Sequence, residues 1–220
     1  TVAILLEPIQ GEGGVVTPSQ NYLNQVREWC DKNKILLMLD EIQTGMGRTG
    51  IAWAHQHNKI KPDVLTTAKG LGGGLPIGGI MCTEEVNVFS PGDHGSTFGG
   101  NVLTCAGAYY VASQLFNKKM IKTIQDTSKI LDNLLMELLQ DNEDVVKLRG
   151  RGLLRGIELN KNIAPEVAQQ CINNGLLINP VRPNVLRLMP PLNVSIKQLK
   201  DAKKIIAKSI IEVTREEQNV

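Results

Sequence analysis

Several features that would point to a particular class of protein are missing from these 220 residues. No apolar run approaches the roughly 18 residues that a membrane-spanning helix needs, and no segment reads as a signal peptide. Aromatic residues make up only 4% of the chain, and the formal net charge is +2, with acidic and basic residues interleaved. Since no basic face stands out, we expect neither a nucleic-acid partner nor a membrane partner.

Cysteine is also scarce and scattered. The four cysteines are Cys30, Cys82, Cys105 and Cys171. Their wide separation excludes a C-x-x-C pair, zinc-ligand spacing and the dense disulfide framework of a small secreted domain. We therefore expect no metal site and a cytoplasmic location.

The first half of the chain alternates between strand and helix patterns. Short apolar runs bounded by turn residues are typical of strands buried on both faces of a parallel sheet. A helix is predicted between the first two runs, with Thr17 and Gln20 as a capping box and Pro18 at the first helical position. The predicted strands are 2–8, 35–41, 63–69 and 78–83.

The pattern changes near Asn117, after a stretch rich in glycine and a helix of small residues. We expect a larger domain over 1–117, a partial, mostly parallel, doubly wound sheet, and a smaller α/β domain over 118–220. Gly175 should close one helix of the smaller domain, and Ser195 with Gln198 should open the last. The predicted helices are 102–116, 119–140, 164–174 and the final helix that Ser195 opens. The predicted strands of the smaller domain are 156–159, 176–179 and 185–189.

The stretch LLMLDEIQTGMGRTG, residues 36–50, has three interpretations. The metal-binding strand of a phosphate-loop NTPase would need a G-x-x-x-x-G-K-[ST] loop, and no Gly-Lys dipeptide occurs here, although such a loop could precede Thr1. A dinucleotide site would need its first glycine directly after the strand, and Gly45 lies five residues beyond Asp40. The GMGRTG segment is therefore interpreted as a turn.

The third interpretation combines two strand ends. Asp40 and Lys69 close successive predicted strands, so both should lie at the carboxyl edge of the sheet, where ligands bind in such folds. A carboxylate beside a pyridine nitrogen keeps it protonated, and a lysine can condense with an aldehyde on the same ring. This pair is what pyridoxal phosphate needs from a protein.

Four ordered motifs carry a resemblance to a known family. They are EPIQGEGG, LDEIQTGMGRTG, TTAKGLGGGLPIGG and HGSTFGGN, and the similarity continues through LRGRGLL and VLRLMPPLNVS. Together they resemble the class III pyridoxal-phosphate aminotransferases, which implies PLP fold type I. Because the match covers the C-terminal half or so of such enzymes, and Thr1 leads straight into a predicted strand, we expect a piece of a longer chain that alone binds cofactor poorly or not at all.

The resemblance implies roles for particular residues. Lys69 matches the Schiff-base lysine, Asp40 the partner of the pyridine nitrogen, Ile42 a residue packing on the ring, and Gln43 a hydrogen-bond donor to the phenolic oxygen. Two further positions match residues of a shared site: Thr97 would reach the cofactor phosphate of a neighbouring subunit and Ser96 would lie near the substrate. These matches imply a homodimer with shared active sites.

The resemblance also implies the substrates, an amino acid and a 2-oxo acid. Glu12 would neutralise Arg187 while the amino donor is bound and then release it for a carboxylate of the second substrate. The expected reaction moves the terminal amine of N2-acetylornithine to 2-oxoglutarate, a step of arginine biosynthesis. Ornithine, succinylornithine, 4-aminobutyrate or glutamate semialdehyde remain alternative substrates, and an inactive scaffold module remains the alternative outside enzymes.

Overall fold

A computed structural model describes residues 1–218. The chain divides into two compact units. The first comprises Thr1–Ile9 and Pro18–Ile121, and the second comprises Gln10–Thr17 together with the chain from Lys122 onwards. Within the described residues, no helix is both long and apolar enough to cross a membrane.

The first unit is built on a four-stranded sheet in the order β1-β2-β3-β4. All four strands were predicted, and their bounds are Ala3–Leu6, Leu36–Asp40, Val64–Thr67 and Gly79–Cys82. The first three pair in parallel, whereas β4, at the edge, runs antiparallel to β3, which agrees with the predicted mostly parallel sheet. Only residues 68–78 join β3 to β4, which is short for the crossover that a parallel pair requires.

Helix α1 covers one face of this sheet. It spans Tyr22–Asn33 and buries Leu23 and Cys30 against Leu37 and Leu39 of β2. The predicted start at Pro18 was wrong, since the helix begins four residues later, with Asn21 as its N-cap. Thr17 and Pro18 lie outside any helix or strand, in the connection that precedes α1.

Short 3₁₀ turns and one helix complete the first unit. The turns are Ala54–Asn58, Lys69–Gly72 and Glu84–Val86, and helix α2 spans Val102–Leu115. Asn101 caps α2, since its side-chain oxygen accepts hydrogen bonds from the backbone N–H groups of Leu103 (3.0 Å) and Thr104 (3.2 Å).

The second unit contains an antiparallel sheet in the order β5-β6-β8-β7 with three helices. The bounds of the strands are Val145–Arg151, Leu154–Leu159, Asn179–Arg182 and Val185–Leu188 for β5 to β8. Helix α3 spans Lys118–Asp141 and so begins in the first unit, α4 spans Ala164–Asn173, and α5 spans Ile196–Gln218.

Two of these strands differ from expectation. Strand β5 was not predicted, because its sequence VVKLRGR lacks an apolar run and several of its side chains are exposed. The strand predicted at 176–179 lies instead at Asn179–Arg182. Leu176 is not available to the sheet, because its N–H closes the end of α4 by donating to Cys171 O at 2.8 Å.

The start of α5 follows the predicted capping box. Ser195 N donates to Gln198 Oε1 at 3.0 Å, and Gln198 N donates to Ser195 Oγ at 3.2 Å. This reciprocal pair satisfies two backbone donors at the start of the helix. The prediction of a helix opened by these two residues is confirmed.

Two of the four cysteines should resist alkylation in the folded protein. Cys30 and Cys171 have no exposed surface, and burial raises the pKa of both thiols. Since the thiolate is the reactive form, iodoacetamide should label them at least about 100-fold more slowly than in denaturant. Peptide mass spectrometry after timed labelling measures both rates, and equal labelling of Cys30 with and without denaturant would contradict the described core.

Candidate active site

The candidate site of the first unit lies at the carboxyl edge of the parallel strands. Asp40 is the last residue of β2 and is in register with Thr66 of β3. Lys69 follows the end of β3 by two residues, so the structure places it and Asp40 at the same edge of the sheet. The prediction that the strand itself continues to Lys69 was wrong, since Lys69 opens a 3₁₀ turn.

Lys69 has an unusual backbone conformation. Its φ of 43° lies in the left-handed region, which non-glycine residues adopt rarely and at an energetic cost. The residue is exposed, so its amine is accessible to a ligand. Gly70 permits this turn to approach the preceding loop closely, because a Cβ there would lie 3.3 Å from Met46 Cβ.

The glycines after Lys69 pack against protein. A Cβ at Gly72 would lie 2.9 Å from Ile77 Cγ2, and one at Gly73 would lie 2.8 Å from Val111 Cγ2 in α2. The close approaches of these glycines are therefore to side chains that support the Lys69 turn.

Asp40 has one carboxylate oxygen still available. Its Oδ1 accepts a hydrogen bond from Ile42 N at 2.9 Å, while Oδ2 has no partner within residues 1–218. The neighbouring Thr66 side chain lies on the same face of the sheet, because the two residues are in register on parallel strands. Its buried Oγ1 also has no hydrogen-bond partner in the described part of the chain.

A buried hydroxyl without a partner, such as that of Thr66, is costly unless a ligand satisfies it. Asp40 Oδ2 can accept a hydrogen bond from a protonated ring nitrogen, and a hydroxyl such as that of Thr66 can donate or accept. The residues at this edge therefore fit a polar heterocycle that also has a group reactive toward the Lys69 amine.

Glu41, next to Asp40, has a different function. Its side chain is fully buried, and Oε1 accepts hydrogen bonds from His55 N (2.9 Å) and His55 Nδ1 (2.7 Å). Its Oε2 accepts from Ala54 N (2.7 Å) and Thr44 Oγ1 (3.0 Å). Glu41 therefore holds Thr44 and the start of the Ala54–Asn58 turn at the end of β2.

The remaining residues predicted in the first unit lie in loops. Ile42 and Gln43 are half-buried in the turn directly after Asp40. Residues 45–50 form consecutive turns, in which Gly50 N donates to Gly47 O at 2.9 Å, as the turn interpretation of GMGRTG expected.

Ser96 and Thr97 lie apart from these residues in the chain, in the exposed segment that precedes α2. Ser96 Oγ accepts a hydrogen bond from Gly99 N at 3.1 Å, which closes a local turn. Thr97 is exposed. The first unit by itself therefore does not explain what these hydroxyls bind.

Glu12 and Arg187 belong to the second unit and contact each other. Arg187 Nη1 donates to Glu12 Oε1 at 2.6 Å, and Arg187 Nη2 donates to Asn179 Oδ1 at 2.7 Å. The Arg187 side chain is only 12% exposed, whereas that of Glu12 is 69% exposed. Asn179 was not predicted as a site residue, and no signal in the sequence distinguishes it from the other asparagines of the chain.

Within the described residues, no cluster of three or more histidine, cysteine, aspartate or glutamate side chains could hold a metal ion. The polar groups that this sheet edge offers to a ligand include the Asp40 carboxylate, the Thr66 hydroxyl and the Lys69 amine. This donor set suits an organic cofactor that is held by hydrogen bonds and by the amine.

Comparison with known proteins identifies relatives for nearly the whole chain. Residues 1–210 match the family described as Aminotransferase class-III. An acetylornithine aminotransferase from Caldanaerobacter subterraneus subsp. tengcongensis is 42% identical over 211 residues, which cover 96% of this chain and 54% of the relative. The chain thus spans about half the length of the curated relatives it matches.

Solved structures agree in fold. N-acetylornithine aminotransferase from Stenotrophomonas maltophilia has a TM-score of 0.88 and 35% identity, covering 98% of this chain and 57% of that one. An ornithine aminotransferase from Toxoplasma gondii, described with partial occupancy of PLP at its active site, has a TM-score of 0.89 and 38% identity, covering 98% of this chain and 52% of that one. The predicted α/β architecture of PLP fold type I is confirmed.

Replacing Glu41 with glutamine should destabilise the chain strongly. The substitution exchanges one acceptor oxygen for an NH₂ donor in a buried site that presents mostly donors, so the expected loss is about 2–4 kcal/mol of unfolding free energy. Urea unfolding followed by circular dichroism measures this loss. Glu28→Gln, at an exposed position of α1, is the matched control and should change stability by less than about 0.5 kcal/mol. A neutral Glu41→Gln variant would contradict the described network.

Proposed function

The chain belongs to the class-III aminotransferases, and from that premise we propose that the complete protein carrying it is a pyridoxal-phosphate-dependent aminotransferase. Its amino donor is N2-acetylornithine, whose terminal amine passes to 2-oxoglutarate. The curated relatives support this choice of donor, since acetylornithine aminotransferases are 42% and 43% identical to the chain. We further propose that it works in the cytoplasm in arginine biosynthesis.

The observation that carries this proposal is the edge formed by Asp40, Thr66 and Lys69. When bound, pyridoxal phosphate supplies an electron sink for the carbon that carries the transferred amine. Asp40 Oδ2 would hold the proton on the ring nitrogen, because a nearby carboxylate favours the cationic form. Lys69 would hold the cofactor through its amine and, once displaced by substrate, move a proton at the reacting carbon.

Other residues of the first unit have supporting roles in this proposal. Ile42 would pack on the ring and Gln43 would hydrogen-bond its phenolic oxygen, and both half-buried side chains follow Asp40 directly. Thr97 would bind the cofactor phosphate of a partner subunit in a homodimer, with Ser96 near the substrate. The exposure of the segment that contains both residues is compatible with covering by a second copy.

Glu12 and Arg187 would select between the two substrates. While they are paired, the positive charge of Arg187 is neutralised and cannot attract a carboxylate. When Glu12 moves away, the guanidinium can bind the distal carboxylate of 2-oxoglutarate in a bidentate arrangement. The 12% exposure of Arg187 favours this strong pairing, and the exposure of Glu12 leaves it room to move.

Two rival functions remain to be separated by experiment. Ornithine is the rival donor with the most structural support, since ornithine aminotransferases from Toxoplasma gondii and Plasmodium yoelii share this fold at 38% identity. Outside enzymes, an inactive scaffold would retain the fold but have no need for Asp40 and Lys69. Transamination rates on a panel of donors distinguish N2-acetylornithine from ornithine as the substrate. Binding of pyridoxal phosphate distinguishes an enzyme from an inactive scaffold.

Changing Lys69 to alanine should abolish the visible absorbance of protein-bound pyridoxal phosphate and all amine transfer. The complete protein is titrated with pyridoxal phosphate and its absorbance spectrum is recorded, because the amine is the group that condenses with the cofactor aldehyde. Lys34→Ala is the matched control, since Lys34 is also an exposed lysine with a positive φ, of 54°. Unchanged spectra for Lys69→Ala would overturn the proposed function.

Changing Glu12 to glutamine should improve glutamate as a donor relative to N2-acetylornithine. The amide no longer neutralises Arg187, so the guanidinium is free for the glutamate side-chain carboxylate more of the time. Because Glu12 is 69% exposed, solvent screening limits the expected change to about fivefold. Single-turnover rates with each donor, read from the cofactor absorbance, test this. A fall in the glutamate rate relative to N2-acetylornithine would refute the role of the pair.

A further inference from the structure

We propose that Val15, Arg149 and Arg182 are positioning residues that hold the segment Gln10–Thr17 still, so that the Glu12 side chain alone moves when Arg187 is released to a substrate carboxylate. This segment is called the Glu12 loop below. The inference rests on the proposed function. It adds the residues that keep the loop backbone in place while a substrate carboxylate replaces Glu12 on Arg187. All of these residues lie within the second unit.

Val15 anchors the loop in the sheet. It has no exposed surface, and its φ of 52° is strained for a β-branched residue. Such strain persists only where surrounding contacts impose it. Those contacts come from a notch between Gly150 and Gly156, where an added Cβ would lie 2.8 Å from Val15 Cγ1 and 3.1 Å from Val15 Cβ, respectively.

Two arginines hold the backbone on the Glu12 side of Val15. Arg149 Nη1 donates to Gly14 O at 3.2 Å, and Arg182 Nε donates to Gly13 O at 3.1 Å. Gly14, with a φ of 107°, must be glycine, and a Cβ there would lie 3.1 Å from Arg182 Cγ. The stem of Arg182 therefore packs over the loop as well as binding it.

Arg149 is itself held in place. Its Nε donates to Glu158 Oε2 at 2.9 Å, and both side chains are only about one-fifth exposed. Arg149 Nη2 contacts the same oxygen, and a partly buried side chain held by two of its nitrogens has little freedom to reorient. Arg149 of β5, paired with Glu158 of β6, thus connects the loop to the sheet.

The two ends of the loop are also joined. Gln10 N donates to Val16 O and Val16 N donates to Gln10 O, both at 3.0 Å. Bonds and packing therefore constrain residues 10, 13, 14, 15 and 16, whereas the Glu12 side chain between them is 69% exposed. Rotating this side chain breaks the side-chain contacts of Glu12, its ion pair with Arg187 among them, while moving the loop would also break the contacts of residues 10, 13, 14, 15 and 16.

The anchors consequently determine how often Arg187 is free. A loosened loop would let Glu12 leave Arg187 in the absence of a competing carboxylate. Glutamate would then gain as an amino donor relative to N2-acetylornithine. Selectivity would fall although neither Glu12 nor Arg187 is changed.

The test uses the complete protein and two measurements, the first on its pyridoxamine-phosphate form, which takes up 2-oxoglutarate, and the second on its pyridoxal-phosphate form, which reacts with amino donors. Amide hydrogen exchange of peptides covering 10–17 is followed by mass spectrometry, with and without saturating 2-oxoglutarate. In wild-type protein, exchange of this segment should change by less than about twofold on adding 2-oxoglutarate, because the hydrogen bonds of the loop stay formed. An increase of about tenfold or more would mean that the loop moves as a body and would overturn the proposal.

The second measurement is the ratio of single-turnover rates for glutamate and N2-acetylornithine in variants. Arg182→Ala should raise this ratio about threefold, and Val15→Ala about tenfold, with faster exchange over 10–17 in both. Arg182→Lys, which keeps a donor within reach of the loop, should restore part of the difference. Arg151→Ala removes an exposed arginine of β5 that has no described contact with the loop and should match wild type.

The outcomes separate this inference from the proposed function. If wild-type protein reacts with neither donor, the proposed function fails, yet the exchange data still report whether Arg182 and Val15 immobilise the loop. If wild-type protein reacts but both variants keep its rate ratio and its exchange over 10–17, the positioning roles are refuted. Arg182 is exposed, so its variant should fold even if Val15→Ala does not.

Discussion

The parallel pairing of β2 with β3 is the constraint on which the candidate chemistry of the first unit depends. The ladder sets Asp40 beside Thr66, and the chain then needs only two more residues after β3 to reach Lys69. A slip of one residue in this register would turn Asp40 to the opposite face, which is packed by α1. Carboxylate and amine thus share an edge because of backbone hydrogen bonds rather than because of any contact between them.

The two adjacent acidic residues at this edge, Asp40 and Glu41, have different roles. Asp40 keeps an oxygen available to a ligand, while Glu41 uses both of its oxygens to bind the following segment. That segment brings Met46 against Gly70, beneath the turn that Lys69 opens. The strained backbone of Lys69 is therefore supported from the same loop that the buried Glu41 carboxylate holds in place.

Much of this arrangement could be predicted from sequence, for identifiable reasons. Apolar runs predicted the four strands of the first sheet, and the ends of two of these runs pointed to Asp40 and Lys69. Both signals are local in sequence, since they depend on the spacing of apolar residues and on the turn residues that bound each run. Strand β5 was missed since its side chains are largely polar, and the antiparallel direction of β4 depends on the short connection before it. The role of Glu41 could not be predicted from the Asp40-Glu41 pair alone, because the hydrogen-bond partners of Glu41 lie up to 14 residues away in the sequence.

The contacts that hold the Glu12 loop form late when the chain folds during synthesis. The partners of the loop are distant in sequence: 135 residues separate Gly14 from Arg149, 169 separate Gly13 from Arg182, and 175 separate Glu12 from Arg187. During synthesis the loop leaves the ribosome long before any of these arginines exists. Contacts of such high sequence separation form late and slowly, so the strained Val15 conformation is among the last features to be acquired. In nascent chains, Glu12 therefore cannot contact Arg187, and Val15 cannot pack between Gly150 and Gly156, until most of the second unit has been translated.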